Sequence, residues 1–200
     1  MAPYFSMIID HLDFTGKTDE EIVPLVLENQ NDFSYLVHRY QDKLSRYIRR
    51  LSNLNQEEAE DVLQNIFIKA YLNLNDFDSS LKFSSWIYRI AHNEIIDNYR
   101  RSKSRPKLLD SDISDSQVKE LAGDFDLFAD VAQSELRARV NDAINHLDAK
   151  YREALILKFI EDKDYQEISD IIKKPMGTVA SRINKAKIQL RRQLAGKSLL

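Results

Sequence analysis

The 200-residue chain sets 29 Lys and Arg against 32 Asp and Glu, for a formal net charge of −3, with 43% hydrophobic residues, four Gly and four Pro. This balance excludes a fibrous or disordered chain and argues against indiscriminate binding to polyanions, while leaving room for one domain or two small ones. There is no Cys, which excludes disulfides and thiolate metal sites and suits a reducing cytosol. The stretch MAPYFSMIIDHLDF lacks a basic n-region and a cleavage site, and no run approaches 18 apolar residues. Neither a signal peptide nor a transmembrane helix is therefore expected.

Residues 19–52 read as helix, because Ile22, Leu25 and Val26, then Phe33, Leu36, Val37, Tyr40, Leu44, Tyr47, Ile48 and Leu51 recur at three- and four-residue spacing. Pro24 is placed in the first turn of a short first helix. Asn55 is a predicted N-cap, with Glu57, Glu58 and Glu60 near the positive helix end. Helix 56–74 carries Val62, Leu63, Ile66, Ala70 and Leu74 on one face. NDFDSSLKF, 75–83, is a turn-rich loop, and helix 84–101 follows with Trp86, Ile87, Ile90, Ala91, Ile95 and Ile96 apolar. The spacing of Trp86 and Ile90 predicts core packing for Trp86.

The composition then shifts. RRSKSRPK is basic, and from Leu108 to Glu135 there are eight acidic residues and one Lys without a clear apolar period. Residues 103–130 read as a linker, with room for a short helix near 117–122. Helices are predicted again at 134–147, 149–160, 165–172 and 178–194. No β pattern of useful length occurs, so the expected class is all-α: two small helical domains joined by an acidic flexible linker.

The last predicted helix is basic in an acidic chain. KKPMGTVASRINKAKIQLRRQL, 173–194, contains no Asp or Glu. Asp164 and Glu167 form a predicted capping box that starts a short helix with Ile168, Ile171 and Ile172 inward. Pro175 and Gly177 end it, and Thr178 is the expected cap of the next helix. There Val179, Ile183, Ala186, Leu190 and Leu194 make an apolar stripe, with Ser181, Arg182, Lys185, Gln189 and Arg192 on the other side. Two helices joined by such a turn are a helix-turn-helix, whose second helix offers donors to base edges and phosphates in a major groove. The competing reading is an ordinary solvated basic face.

PMGTVASRINKAKIQLRRQL resembles the closing motif of extracytoplasmic-function sigma factors, P-x-G-T-V-[KR]-S-R-[LI]-x-[RK]-[AG]-[RK]-x-x-L. EEAEDVLQNIFIKAYLNL, KFSSWIYRIAHNEIIDNYRRSKS and LDAKYREALILKFIEDKDYQEISDII resemble further motifs of the same family, in the family's order, over about 30–195. The resemblance implies an N-terminal extension at 1–19, a σ2 domain at 20–103, a linker at 104–133, a σ4 domain at 134–195 and a tail at 196–200. It implies core RNA polymerase, promoter DNA and an anti-sigma factor as partners, no cofactor, no metal and no enzymatic activity.

Residue by residue, the resemblance implies contact with core polymerase for Asp61, Gln64, Asn65, Phe67, Ile68 and Lys69. Asn65 departs from the usual Glu or Asp, and Ile66 is expected in the core. For a melted −10 element it implies a base pocket from Asp78, Ser79, Ser80, Leu81, Lys82 and Phe83, and strand contacts from Arg89, His92, Asn93, Asp97 and Arg100. Unstacked bases are held by such extrusion, stacking and backbone charge. For a duplex −35 element it implies Thr178, Ser181, Arg182, Lys185 and Gln189, with Arg152, Lys174 and Arg192 on phosphates; Ala180 stands where Lys or Arg is common. The stretch MAPYFSMIIDHLDFTGKTD carries no motif of the family, and packing on the first domain or binding a regulator are both open for it. A stand-alone helix-turn-helix regulator would leave the first-half motifs unexplained. An enzyme finds no phosphate loop, metal-spaced His cluster or nucleophile elbow, and His11, His38 and His146 read as surface or structural residues.

Overall fold

The computed structural model describes residue 14 and residues 16–52, 54–104 and 131–196, with side chains described at all of these except 102–104, 131–137 and 196. The segment up to residue 13 with His11, the expected linker between 105 and 130 with its short helix near 117–122, and the tail from 197 lie outside the described residues. All regular structure among the described residues is helical.

Helix α1 spans Asp19–Glu28 and starts on a capping box that the sequence reading missed: Glu21 N donates to Thr18 Oγ1 at 3.3 Å, and Thr18 N to Glu21 Oε2 at 2.7 Å. Because the cap fixes the start at Asp19, Pro24 falls in the second turn and not the first. It removes one backbone bond there, and burial of Ile22, Val23 and Val26 holds the helix in place. Ahead of α1, Phe14 is buried edge-on against Tyr35, ring centroids 4.2 Å apart. Arg39 fastens this entry by donating to Phe14 O at 3.2 Å, Lys17 O at 2.9 Å and Asp19 Oδ1 at 2.7 Å. The described end of the N-terminal stretch thus packs on the helix that follows α1.

That helix, α2 (Phe33–Leu51), buries Phe33, Leu36, Tyr40, Leu44, Tyr47 and Ile48, the stripe its spacing predicts. Helix α3 (Gln56–Leu72) begins at the predicted Asn55 cap, with Glu58 N donating to Asn55 Oδ1 at 2.9 Å, and buries Ala59, Val62, Ile66 and Ala70. Helix α4 (Phe83–Ser104) lies on α2 and α3. At its start Phe83, fully buried, meets Tyr40 at 5.5 Å, Phe77 at 5.4 Å and Trp86 at 5.5 Å between ring centroids. Trp86 is core, as expected.

One buried carboxylate joins α3 to α4. Glu94 is 1% exposed and accepts from Arg101 Nη2 at 2.7 Å and from Lys69 Nζ. Burial pushes its carboxyl up, but the hydrogen bonds and charges of Lys69 and Arg101 outweigh that and hold it below its ordinary 4.5. A depressed carboxyl adds stability that is present above the unfolded value and is lost as pH falls through the folded one. Glu94→Gln is expected to cost about 1–3 kcal/mol at pH 7, with the gap to the native chain narrowing as pH drops below 4.5. Urea midpoints at both pH values check this, and a gap independent of pH would contradict it.

The second half holds α5 (Val131–Asn145), α6 (Ala149–Phe159), α7 (Tyr165–Ile172) and α8 (Met176–Gly196), with α8 packed on α5, α6 and α7. Ile156, Leu157, Ile168, Ile171, Val179, Ile183 and Ala186 form its interior. The two halves touch: α4 packs along α7 and α2 meets α6, and buried residues of both halves belong to one continuous core.

Candidate nucleic-acid interface

The helix-turn-helix is α7, a turn and α8. Asp164 and Glu167 form the predicted capping box, each backbone N–H donating to the other's carboxylate at 2.8 Å. Helix α7 ends at Lys173, which takes the left-handed conformation at φ 52°, ψ 51°. Ser169 Oγ donates to Lys174 O at 2.6 Å and closes the turn. Helix α8 then begins at Met176. The Pro175 carbonyl accepts from Thr178 N at 2.8 Å and Val179 N at 3.1 Å. Thr178 is therefore not the cap, contrary to expectation, and Gly177 lies within the first turn instead of ending α7. The physical reason is that Lys173 already supplies the left-handed residue that stops a helix, and the fixed φ of Pro175 leads directly into the next.

Val179, Ile183 and Ala186 point into the core, so Ser181 and Lys185 are left exposed and Thr178, Arg182 and Gln189 half-buried on the outer side. Thr178, Ser181, Arg182 and Lys185 line a shallow groove together with Gly177, Lys150 and Tyr151. A Cβ at Gly177 would meet nothing within 4 Å. Lys150 and Tyr151 were missed by the sequence reading. They sit at the start of α6, and only the packing of α6 on α8 brings them to this face. Lys174 and Arg192 are exposed at the two ends. Arg152 is half-buried: its Nη1 donates to Asn145 O at 3.3 Å, and its Nε is buried without a hydrogen-bond partner. Desolvation pushes its pKa below the ordinary guanidinium value. Its first role on this geometry is to join α5 to α6.

In the first half, the loop before α4 is a tight Asx turn. Asp78 Oδ1 accepts from Ser80 N at 2.9 Å, and Leu81 N donates to Asp78 O at 2.9 Å. The bond from the Ser80 backbone holds the Asp78 carboxyl below its ordinary value. Asp78, Ser79, Ser80, Leu81 and Lys82 are exposed, but Phe83 is not: it is an interior ring, and its N–H donates to Glu20 Oε1 at 2.8 Å. The assignment of Phe83 to a base pocket is corrected, since a side chain closed off by Tyr40, Phe77 and Trp86 offers no face to a base. On α4, Arg89, Asn93, Asp97 and Arg100 follow one another along one row of the helix, with Asn93 and Arg100 exposed. His92 does not share that row. Its Nδ1 lies 2.5 Å from Glu153 Oε1 on α6, which removes it from the expected strand contacts. Among the described residues no cluster of His, Asp and Glu is arranged to hold a metal.

On α3, Asp61, Gln64, Asn65 and Ile68 are exposed along one stripe, which Leu72 extends at 69% exposure. Leu72 was missed: its apolar character reads as core until the packing leaves it outside. Phe67 leans on the core and Lys69 pairs with Glu94, so these two are held apart from the stripe. Ile66 is buried, as expected.

The geometry defines a helix-turn-helix reader of nucleic acid carried beside a second helical unit with its own exposed polar and apolar stripe. Sigma-70 region 2 matches residues 36–105, and sigma-70 region 4 matches residues 137–190. The ECF RNA polymerase sigma factor SigW of Bacillus subtilis is 36% identical over 171 residues, 83% of this chain and 90% of that protein. The RNA polymerase sigma-H factor of Pseudomonas aeruginosa is 33% identical over 181 residues, 86% of this chain and 92% of its own length. Two solved structures share the fold: CnrH in complex with the cytosolic domain of CnrY, at TM-score 0.64 and 26% identity over 89% of this chain and 97% of that one, and the sigma factor RpoE in complex with the anti-sigma factor NepR from Bartonella quintana, at TM-score 0.61 and 25% identity over 82% and 97%. The chain belongs to the extracytoplasmic-function RNA polymerase sigma factors of the sigma-70 family. Among the described residues no helix is long and apolar enough to cross a membrane.

Proposed function

We infer that this chain binds core RNA polymerase in the cytosol and directs it to promoters, with the work divided between its halves. The observation that carries this reading is the pairing, in one chain, of a basic helix-turn-helix with a separate exposed stripe on α3 and a polar row on α4. In this division the unit at 20–103 binds core through Asp61, Gln64, Asn65 and Ile68, joined by Leu72. It reads the melted −10 strand with Asp78 to Lys82 and with Arg89, Asn93, Asp97 and Arg100. The unit at 134–195 reads the −35 duplex with Thr178, Ser181, Arg182, Lys185 and Gln189, with Lys150, Tyr151, Lys174 and Arg192 beside them. An anti-sigma factor fits the same reading, since the similar sigma factor RpoE was solved in complex with one. A stand-alone regulator has no support in the first half, where the family match covers residues 36–105.

The α3 stripe gives the direct test. Asp61 and Gln64 are exposed, so changing both to Ala is expected to leave the thermal melt within about 0.5 kcal/mol of the native chain while weakening capture of purified core polymerase at least tenfold. Unchanged capture would remove α3 from the interface, and a collapsed melt would make both residues structural.

A further inference from the structure

The loop before α4 holds its own shape and takes its direction from its two feet. Within it, Ser80 N donates to Asp78 Oδ1 and Leu81 N to Asp78 O, both at 2.9 Å, so the turn moves as one piece. Its upstream foot is the 3₁₀ turn Leu74–Asp76 followed by buried Phe77, and its downstream foot is the head of α4. Helix α1 packs against both feet.

The downstream foot lacks a cap of its own. Lys82 directly precedes α4, and its carbonyl accepts from Ser85 N at 3.0 Å and Trp86 N at 3.2 Å, which places it at the N-cap. A Lys side chain offers no acceptor to the free N–H groups of the first turn, and its charge opposes the positive helix end. Glu20 of α1 supplies what Lys82 lacks: its Oε1 accepts from Phe83 N at 2.8 Å. The residues on either side hold that carboxylate in place. Asp19 accepts from Arg39 Nη1 at 2.7 Å and from the Tyr40 hydroxyl, both on α2, and Glu21 closes the capping box on Thr18. Three consecutive carboxylates thus tie α1 to α2, to α4 and to its own start.

We propose that Glu20 is a positioning residue for the −10 base pocket: it caps α4 from another helix and so fixes the direction of the Asp78–Lys82 loop. The positioning role rests on the sigma-factor reading above; the cap does not. Glu20 acts through the loop and not on the strand. A Ser, Thr or Asp at position 82 could cap α4 locally, but only by replacing the cation at the end of the loop. With the cap supplied by α1, Lys82 stays on the outer surface, 63% exposed, with Glu167 Oε1 at 3.4 Å from its Nζ. The pocket residues must be held closely in place to tell one base from another, and α1 is the platform that holds them.

Amide exchange followed by NMR on the full free chain tests the cap. The Phe83 N–H is expected to exchange about tenfold faster in Glu20→Ala than in the parent, with the Ile87 and Ala91 amides unchanged. An unchanged Phe83 rate overturns the cap. Transcription with core polymerase from promoters altered singly in the −10 or the −35 element tests the positioning. Glu20→Ala is expected to lower discrimination among −10 variants about tenfold, with −35 discrimination and core capture as in the parent. Glu20→Gln keeps an oxygen acceptor and is expected to recover most of that loss. Equal losses at both elements, no loss at −10, or a Gln variant as poor as the Ala variant overturns the positioning role. A parent chain that gives no specific starts overturns the sigma-factor reading, and the positioning role with it, whatever the exchange result.

Discussion

Phe83→Ala is expected to lower the stability of this protein by about 3–5 kcal/mol, the range for removing a fully buried aromatic side chain. Phe83 has no exposed surface and forms the centre of a ring cluster with Tyr40, Phe77 and Trp86. Edge-to-face pairs add stabilisation beyond the area they bury, so the cavity left behind loses several contacts at once. Chemical denaturation of the purified variant checks it. The neighbouring Leu81→Ala is the control: Leu81 is 50% exposed, and its loss is expected to move stability by no more than about 0.5 kcal/mol. If Phe83→Ala instead melted like the native chain and lost only promoter activity, the ring would be a base contact and the packing account of the α4 head would be wrong.

The second large effect is expected on specificity. Arg182 and Lys185 lie on the outer face of α8, beside Ser181 and Thr178 in the groove. Neither side chain is in the core, so Arg182→Ala and Lys185→Ala are expected to leave the melt in place. A residue that reads a base edge confers about 1–3 kcal/mol of discrimination, while one that touches only phosphate weakens all sequences alike and lowers the salt slope by about one. Transcription from a promoter and from variants of its −35 element, at two salt concentrations, separates the two roles. Lost discrimination with an unchanged melt identifies a base contact. Unchanged promoter choice for both substitutions would remove α8 from sequence reading.

Local features of this fold were legible in the chain. The Asn55 cap, the Asp164–Glu167 capping box, the apolar stripe of α2 and the interior place of Trp86 all follow from spacing and side-chain chemistry within one or two turns. What was not legible was set by packing between segments. Phe83 sits next to polar loop residues and reads as a loop ring, yet three aromatic neighbours enclose it. His92 is engaged by Glu153, 61 residues away, and Arg50 meets Glu161 across 111 residues. Periodicity carries no information at such separations. Lys69 read as an exposed contact because the buried anion that holds it, Glu94, is on another helix. Thr178 has the residue type that favours a cap, but a left-handed Lys173, an uncommon conformation for a non-glycine residue, ends α7 before it. The sequence reads as two tethered units because nothing in their separate patterns encodes the carboxylate contacts between the halves.

This chain confers promoter choice on core RNA polymerase. Transcription in vitro with purified core polymerase, this protein and fragmented genomic DNA of the source, followed by sequencing of RNA 5′ ends, tests it most directly. Sharp start sites that share two upstream elements and occur only when the protein is present are the predicted result. No specific starts from the cognate core, together with tight duplex binding by the protein alone, would contradict it.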